Sequence, residues 1–400
     1  MMAGSILRKR HWIVAFLVGS LLVARASAGA VGDDKKIDWN YARQLYQRSQ
    51  RGETLTPEEK AYLDRAREER KKKGAGADRE PQQRPDQRTR AGVGLTSMGL
   101  VPLPEMTTDR YKGEDGGLYG GGHNDIPAAH QLAAQKEIAA IRPLDANGRP
   151  SPDGKIVLIS IGMSNTTMEF QAFKRIADAD PDKSPRLVIV DGAQGGQAAA
   201  EWANSSGPWD TLAQRLAASG ATSPQVQVAW IKQAQKGPAR LGEFPAHARN
   251  LQRDLVTILN RLKQRYPNVR IAYCSSRIYA GYAVTVLNPE PYAYEGAFSV
   301  RWLIQDQIKG EAALNYDPQR GEVKAPLILW GPYLWADGMR ARKADGFTWV
   351  REDFGADGTH PSGSGCQKVA RLLLKFFKED PSARPWFLKS DRGAPANAAK

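Results

Sequence analysis

The chain has 400 residues, 41% of them hydrophobic and 25% charged, an ordinary globular composition that can bury a full core. Its formal net charge is +14, but about four of those charges lie in residues 1–30 and four more in 31–95, leaving about six over the rest with both signs interleaved. A nucleic-acid binder concentrates its basic side chains in a stripe, so this distribution excludes nucleic acid as the expected partner.

The first element is a targeting segment. Residues 8–11 read Arg-Lys-Arg-His, Trp12 to Ala24 is an apolar run, and Ala26-Ser27-Ala28 offers a cleavage point. That order predicts a signal peptide over 1–30 and an exported, periplasmic or extracellular protein. The apolar run is shorter than the roughly 20 residues that span a bilayer, so no stable membrane insertion is expected after cleavage.

A helical hairpin follows over 37–72. Asp38 can cap a first helix with Trp39, Ala42, Leu45 and Tyr46 on one face, and Thr56-Pro57-Glu58-Glu59 is a capping box that opens a second. Residues 73–95 read as a flexible linker, rich in Lys, Gly, Gln, Pro and Arg. Residues 96–154 read as an N-terminal extension; its glycine-rich stretch at 113–122 has no Lys-Ser/Thr after it, hence a loop rather than a phosphate cradle.

From 155 to 390 the pattern changes. Short apolar runs at Ile156–Ile161, Leu187–Val190, Val226–Ile231, Val269–Cys274 and Leu327–Trp330 suit strands covered on both faces. Helical patterns alternate with them, the clearest over 246–266. The alternation predicts an α/β fold: a three-layer α/β/α sandwich around a mostly parallel five-stranded sheet, preceded by the small hairpin. Ligands of such sheets sit beyond the carboxyl ends of the strands.

Three motifs lie at such ends. Ser164 follows the first strand in Gly162-Met163-Ser164-Asn165, where a strand turns into a helix and presents a hydroxyl at the mouth of the sheet. The second strand runs into Asp191-Gly192-Ala193-Gln194-Gly195-Gly196, a glycine-rich turn that lets the backbone approach a ligand. Near the C-terminus, Asp357-Gly358-Thr359-His360 spaces a carboxylate three residues before an imidazole. The carboxylate can hold one ring nitrogen and leave the other to take a proton from a serine.

In this order the motifs resemble the SGNH/GDSL hydrolases, over roughly residues 155–380, with Gly-Met-Ser-Asn nearest in style to carbohydrate-esterase relatives. The resemblance implies a flavodoxin-like sheet, Ser164 as nucleophile, His360 and Asp357 as its acid–base partners, and the backbone N–H groups of Ser164 and Gly196 as oxyanion donors. The family's third block supplies an Asn after the third strand. Here that stretch is Trp230-Ile231-Lys232-Gln233-Ala234, so Gln233, at the Asn position, or Lys232 is expected to take over. The implied activity is a serine esterase without metal or organic cofactor, acting on a small ester or acylated polysaccharide. The departure in the third block leaves open a second reading, a weakly catalytic module that binds glycans.

Further residues have open roles. Tyr279, Tyr333 and Trp335 follow strand ends and can stack on sugar rings. Arg277 follows the fourth strand and can meet an anionic substrate group or form a structural ion pair. His123, His130 and His247 lack metal-ligand spacing, and Asp178, Asp180 and Asp182 lack the Gly and Glu of a calcium loop. Cys274 and Cys366, too few for a disulfide scaffold, are expected as free buried thiols.

Overall fold

In the computed structural model, residues 37–39, 41, 42, 45, 48, 54–75 and 94–389 are described. The segment 1–30, expected as a signal peptide, and 76–93, most of the expected linker, lie outside the described residues. The chain divides into two compact units, Met1–Pro85 and Asp86–Lys400.

In the first unit, α1 (Pro57–Ala75) opens on the capping box. Glu59 N–H donates to Thr56 Oγ1 at 3.2 Å, and Thr56 N–H donates to Glu59 Oε2 at 3.0 Å. The helix runs through Ala75, beyond the expected end at 72. Residues 39, 41, 42, 45 and 48 are also helical, and Asp38 accepts from Tyr41 N–H at 3.2 Å. Arg48 pairs with Glu59 at 2.6 Å, and Ala42, Leu45, Leu63 and Ala66 are buried.

The second unit holds five strands: β1 (Ile156–Gly162), β2 (Leu187–Val190), β3 (Val226–Lys232), β4 (Ile271–Cys274) and β5 (Leu327–Trp330). Their order is β2-β1-β3-β4-β5 and every pair is parallel. All five match the apolar runs. Only ends differ, and β4 starts at Ile271 because pairing with Val228 begins there.

The helices of this unit are α2 (Ala128–Ala140), α3 (Ser164–Asp178), α4 (Ala199–Asn204), α5 (Gly207–Ala218), α6 (Ala246–Arg265), α7 (Tyr292–Lys309), α8 (Gly363–Glu379) and α9 (Arg384–Phe387). The chain steps from β1 outward to β2, then crosses back to β3, β4 and β5. With right-handed crossovers, that reversal sends α3 to one face and α4–α7 to the other. The packing agrees: α3 lies on α8, while α4 and α7 both pack on α6. The result is a three-layer α/β/α sandwich with its topological switch between β1 and β3, where a crevice opens at the strand ends.

From the stretch 96–154, Leu103, Met106, Ala134 and Ile138 belong to the main core. A segment that contributes buried apolar side chains to a core folds with it. On the α3 face, Phe170 stacks on Trp230 at 5.5 Å, and Phe173 meets Phe377 at 5.3 Å and Phe387 at 6.4 Å. Phe173 is fully buried. Phe173→Ala is expected to cost about 3–5 kcal/mol of stability in chemical denaturation, the transfer and cavity cost of a buried ring.

Candidate active site

β1 ends at Gly162, and Met163, in an extended conformation, precedes α3 without any side-chain cap. Ser164 is therefore the first residue of the helix. It sits beside first-turn N–H groups that no carbonyl of the helix can use, at the positive end of the helix dipole. Asn165 Nδ2 donates to the Thr359 carbonyl at 2.9 Å and ties this turn to the loop carrying His360.

That loop is organised by one carboxylate. Asp357 Oδ1 accepts the backbone N–H groups of Thr359 and His360, both at 3.0 Å, and Oδ2 lies 2.5 Å from His360 Nδ1. Gly358 has φ +61, and a Cβ there would lie 1.7 Å from the Tyr282 carbonyl oxygen. Val284 N–H donates to the Asp357 carbonyl at 3.0 Å, fixing the loop to the segment after β4. Partial burial pushes the Asp357 pKa up, but the donors from His360 and Thr359 outweigh it and hold the carboxyl below its ordinary range. An ionised Asp357 accepts a hydrogen bond from Nδ1–H, and that tautomer leaves Nε2 as an acceptor. His360 Nε2 lies 2.8 Å from Ser164 Oγ.

The glycine turn after β2 is held from beneath. Ser160, buried in β1, donates to Asp191 Oδ1 at 2.6 Å and accepts from the N–H groups of Gly192 and Ala193 at 3.1 and 3.2 Å. Gly196 has φ +76, with open space where a Cβ would sit, so glycine serves the backbone conformation there. Ser164, His360 and Gly196 line one cavity of about 250 Å³ together with Lys236, Arg277 and Asn288. Its apolar wall comes from Met163, Ala198, Ala234 and Leu287. A hydroxyl, an imidazole and a carboxylate in series, opening on a cavity, form the constellation of a serine hydrolase acting on esters.

Several expected site residues lie elsewhere. The Gln233 side chain is buried, does not line the cavity, and neither Nε2 nor Oε1 has a protein partner. Lys232 is also fully buried, with its ammonium paired to Glu169 inside the α3–β3 packing. Burial pushes its pKa down to about 8. The three aromatic residues Tyr279, Tyr333 and Trp335 are buried, and none lines this cavity. Tyr279 donates to the Leu95 carbonyl at 2.6 Å, Tyr333 Oη accepts from Leu103 N–H at 3.2 Å, and Trp335 donates to Glu290 at 2.8 Å. Arg277 does reach the cavity.

Gln235, Lys236 and Asn288 also reach it, from the segments after β3 and β4. Nothing in their local sequence marks them, because their facing depends on how two loops meet. Charge inside an apolar run, as at Glu169 and Lys232, was the available signal for the buried pair. Cys274 and Cys366 are free and buried. His130 lies 2.9 Å from the Ile328 carbonyl and His247 2.7 Å from Glu295. Among the described residues no group of three or more His, Cys, Asp or Glu is arranged to hold a metal, and no helix is long and apolar enough to cross a membrane.

The sequence matches no family model and no curated protein. Among solved structures, the lipase Lip_vut3 from a goat rumen metagenome is 13% identical, covering 55% of this chain and 96% of its own, with a TM-score of 0.32. The extracellular lipase from Streptomyces rimosus is 11% identical, covering 55% and 99%, with a TM-score of 0.28. A protein from Arabidopsis thaliana is 15% identical, covering 52% and 67%, with a TM-score of 0.28. At such scores the chemistry rests on the side-chain geometry and not on the likeness.

Two substitutions check this geometry. Gln233→Met, which removes two buried polar atoms without protein partners, is expected to raise stability by about 1 kcal/mol or more while turnover stays within a few-fold. A drop of roughly 10²-fold in turnover would restore Gln233 to the oxyanion site. Gly358→Ala is expected to cost more than about 1 kcal/mol, since it forces a positive φ on a residue with a Cβ and meets the Tyr282 carbonyl. Denaturant titration reads both stabilities.

Proposed function

We propose that this chain is an SGNH-type esterase, exported by its N-terminal segment, that removes an O-acyl group, an acetyl above all, from a carbohydrate. The observation that carries the reading is the relay from Asp357 through His360 to Ser164 at the wall of a cavity. In the proposed mechanism His360, held by Asp357, takes the proton of Ser164 as the hydroxyl attacks the ester carbonyl. The N–H groups of Ser164 and Gly196 meet the developing oxyanion. His360 then protonates the departing alcohol, and water hydrolyses the acyl-enzyme by the same route.

Strand order, the sequence order Ser164, Gly196, Asp357, His360 and the helix-start position of Ser164 all support the SGNH assignment. Gln233 does not line the cavity, and in this reading the two backbone donors carry the oxyanion. The small apolar wall suits a short acyl group. Tyr279, Tyr333 and Trp335, being buried, lend no support to sugar stacking, and they equally weaken the rival reading of a glycan-binding module.

A fluorophosphonate probe is expected to label the protein at Ser164. Ser164→Ala is expected to abolish labelling and to lower hydrolysis of 4-nitrophenyl acetate by at least about 10³-fold, and Asp357→Asn to lower it by roughly 10³–10⁴-fold. Undiminished hydrolysis in Ser164→Ala would sink the assignment. Expressed in a bacterial host, the protein is expected in the exported fraction with a mass that lacks the N-terminal segment cut near Ala26-Ser27-Ala28; full-length protein retained in the cytoplasm would overturn the export reading.

A further inference from the structure

Arg277 follows β4 and is only 3% exposed, yet it forms part of the cavity wall beside Ser164 and His360. None of its nitrogens is hydrogen-bonded or ion-paired to a described residue, and its buried Nε has no partner. The other buried arginines among the described residues are paired. Arg301 pairs with Glu114 at 2.6 Å and Asp115 at 2.9 Å, and Arg342 with Asp345 at 2.5 Å. A guanidinium cannot shed its charge at any ordinary pH, so burial without a partner is costly unless a ligand supplies the partner.

The surrounding charges keep Arg277 open. Burial lowers its pKa, against which Glu169 and Glu290 act through space. Neither is within ion-pair contact. Glu169 gives Oε2 to Lys232 while its buried Oε1 has no partner, and Glu290 accepts from Trp335 Nε1, Ala280 N–H and Tyr294 N–H. Lys236, the other cation of the wall, sits at the rim, pairs with Glu201 and donates to the Gly196 carbonyl at 3.0 Å. No aspartate or glutamate lines the cavity.

We propose that Arg277 receives a carboxylate carried by the ester substrate, so that the site selects acidic esters over neutral ones. The inference rests on the esterase reading above. A planar guanidinium fork matches a carboxylate with two parallel hydrogen bonds, and one free cation balances one negative charge. A phosphate, carrying close to two charges, lacks a second free cation here, since Lys236 is already engaged. The carboxylate can sit on the acyl side or on the alcohol side of the ester, and matched substrates separate the two.

The full-length protein, with any signal peptide processed, is assayed on two matched pairs. One is 4-nitrophenyl hemiglutarate against 4-nitrophenyl valerate; the other is O-acetylated galacturonic acid against its methyl ester. Wild type is expected to prefer the acidic member of one pair by about 10-fold or more in kcat/KM. Arg277→Gln is expected to collapse that ratio by roughly 10- to 100-fold, chiefly through KM for the acidic member, and Arg277→Lys to retain part of it. A wild type that prefers the acidic member of neither pair overturns the proposal, and that arm needs no variant. An equal fall for both members of a pair in a folded Arg277→Gln assigns the residue a structural role and also overturns it. Calorimetric titration with glutarate and with galacturonate separates this from failure of the esterase reading. Binding that is lost in Arg277→Gln, in a protein that hydrolyses no ester, supports the anion site and sinks only the esterase. Binding unchanged in Arg277→Gln, or absent in wild type, sinks the anion site.

Discussion

The Asp357 carboxylate is the interaction on which the site depends. It accepts two backbone N–H groups with one oxygen and the His360 ring with the other. The same group therefore shapes the turn and orients the imidazole. These bonds also keep it ionised against the penalty of partial burial. A rotated carboxylate would release the turn and the ring together, which is why three residues of spacing suffice for a precise contact with Ser164.

That local device works only because the sheet delivers Ser164 to the same place. The reversal of strand order between β1 and β3 opens the crevice, and the start of α3 sets the hydroxyl at its mouth. Ser160, two residues before the end of β1, holds the start of the turn after β2 through Asp191 and the N–H groups of Gly192 and Ala193. The Asn165–Thr359 bond then links the serine turn to the histidine loop. Scaffold and chemistry are connected through few, directional hydrogen bonds, while the aromatic packing of Phe170, Phe173 and Trp230 behind them supplies rigidity.

Charge is buried unevenly around this centre. Lys232 and Glu169 neutralise each other within the packing of α3 on β3, so a lysine at the end of an apolar strand is structural. Arg277, equally buried, has no such neighbour in contact and opens on the cavity. The difference separates a side chain that fills the interior from one whose partner is expected to come from outside.

The sequence by itself determined the sheet and the local motifs. Strands buried on both faces must be apolar along their length, so all five were legible in the pattern, and a carboxylate three residues from a histidine can meet it within one turn. The Thr56–Glu59 capping box was legible for the same reason, since both partners are local. Tertiary structure alone decided which way side chains face after a strand ends. Gln233 was a candidate oxyanion donor, and Tyr279, Tyr333 and Trp335 could stack on a sugar or pack in the core; all four are buried and none lines the cavity. The direction of a residue beyond a strand is set by the turn and by what packs against it, neither of which is encoded in the few residues around it. For Arg277 the sequence left an ion pair and an anion site equally open. Only the positions of Glu169 and Glu290, which act on it through space but make no contact, decided that the guanidinium stays without a hydrogen-bond partner.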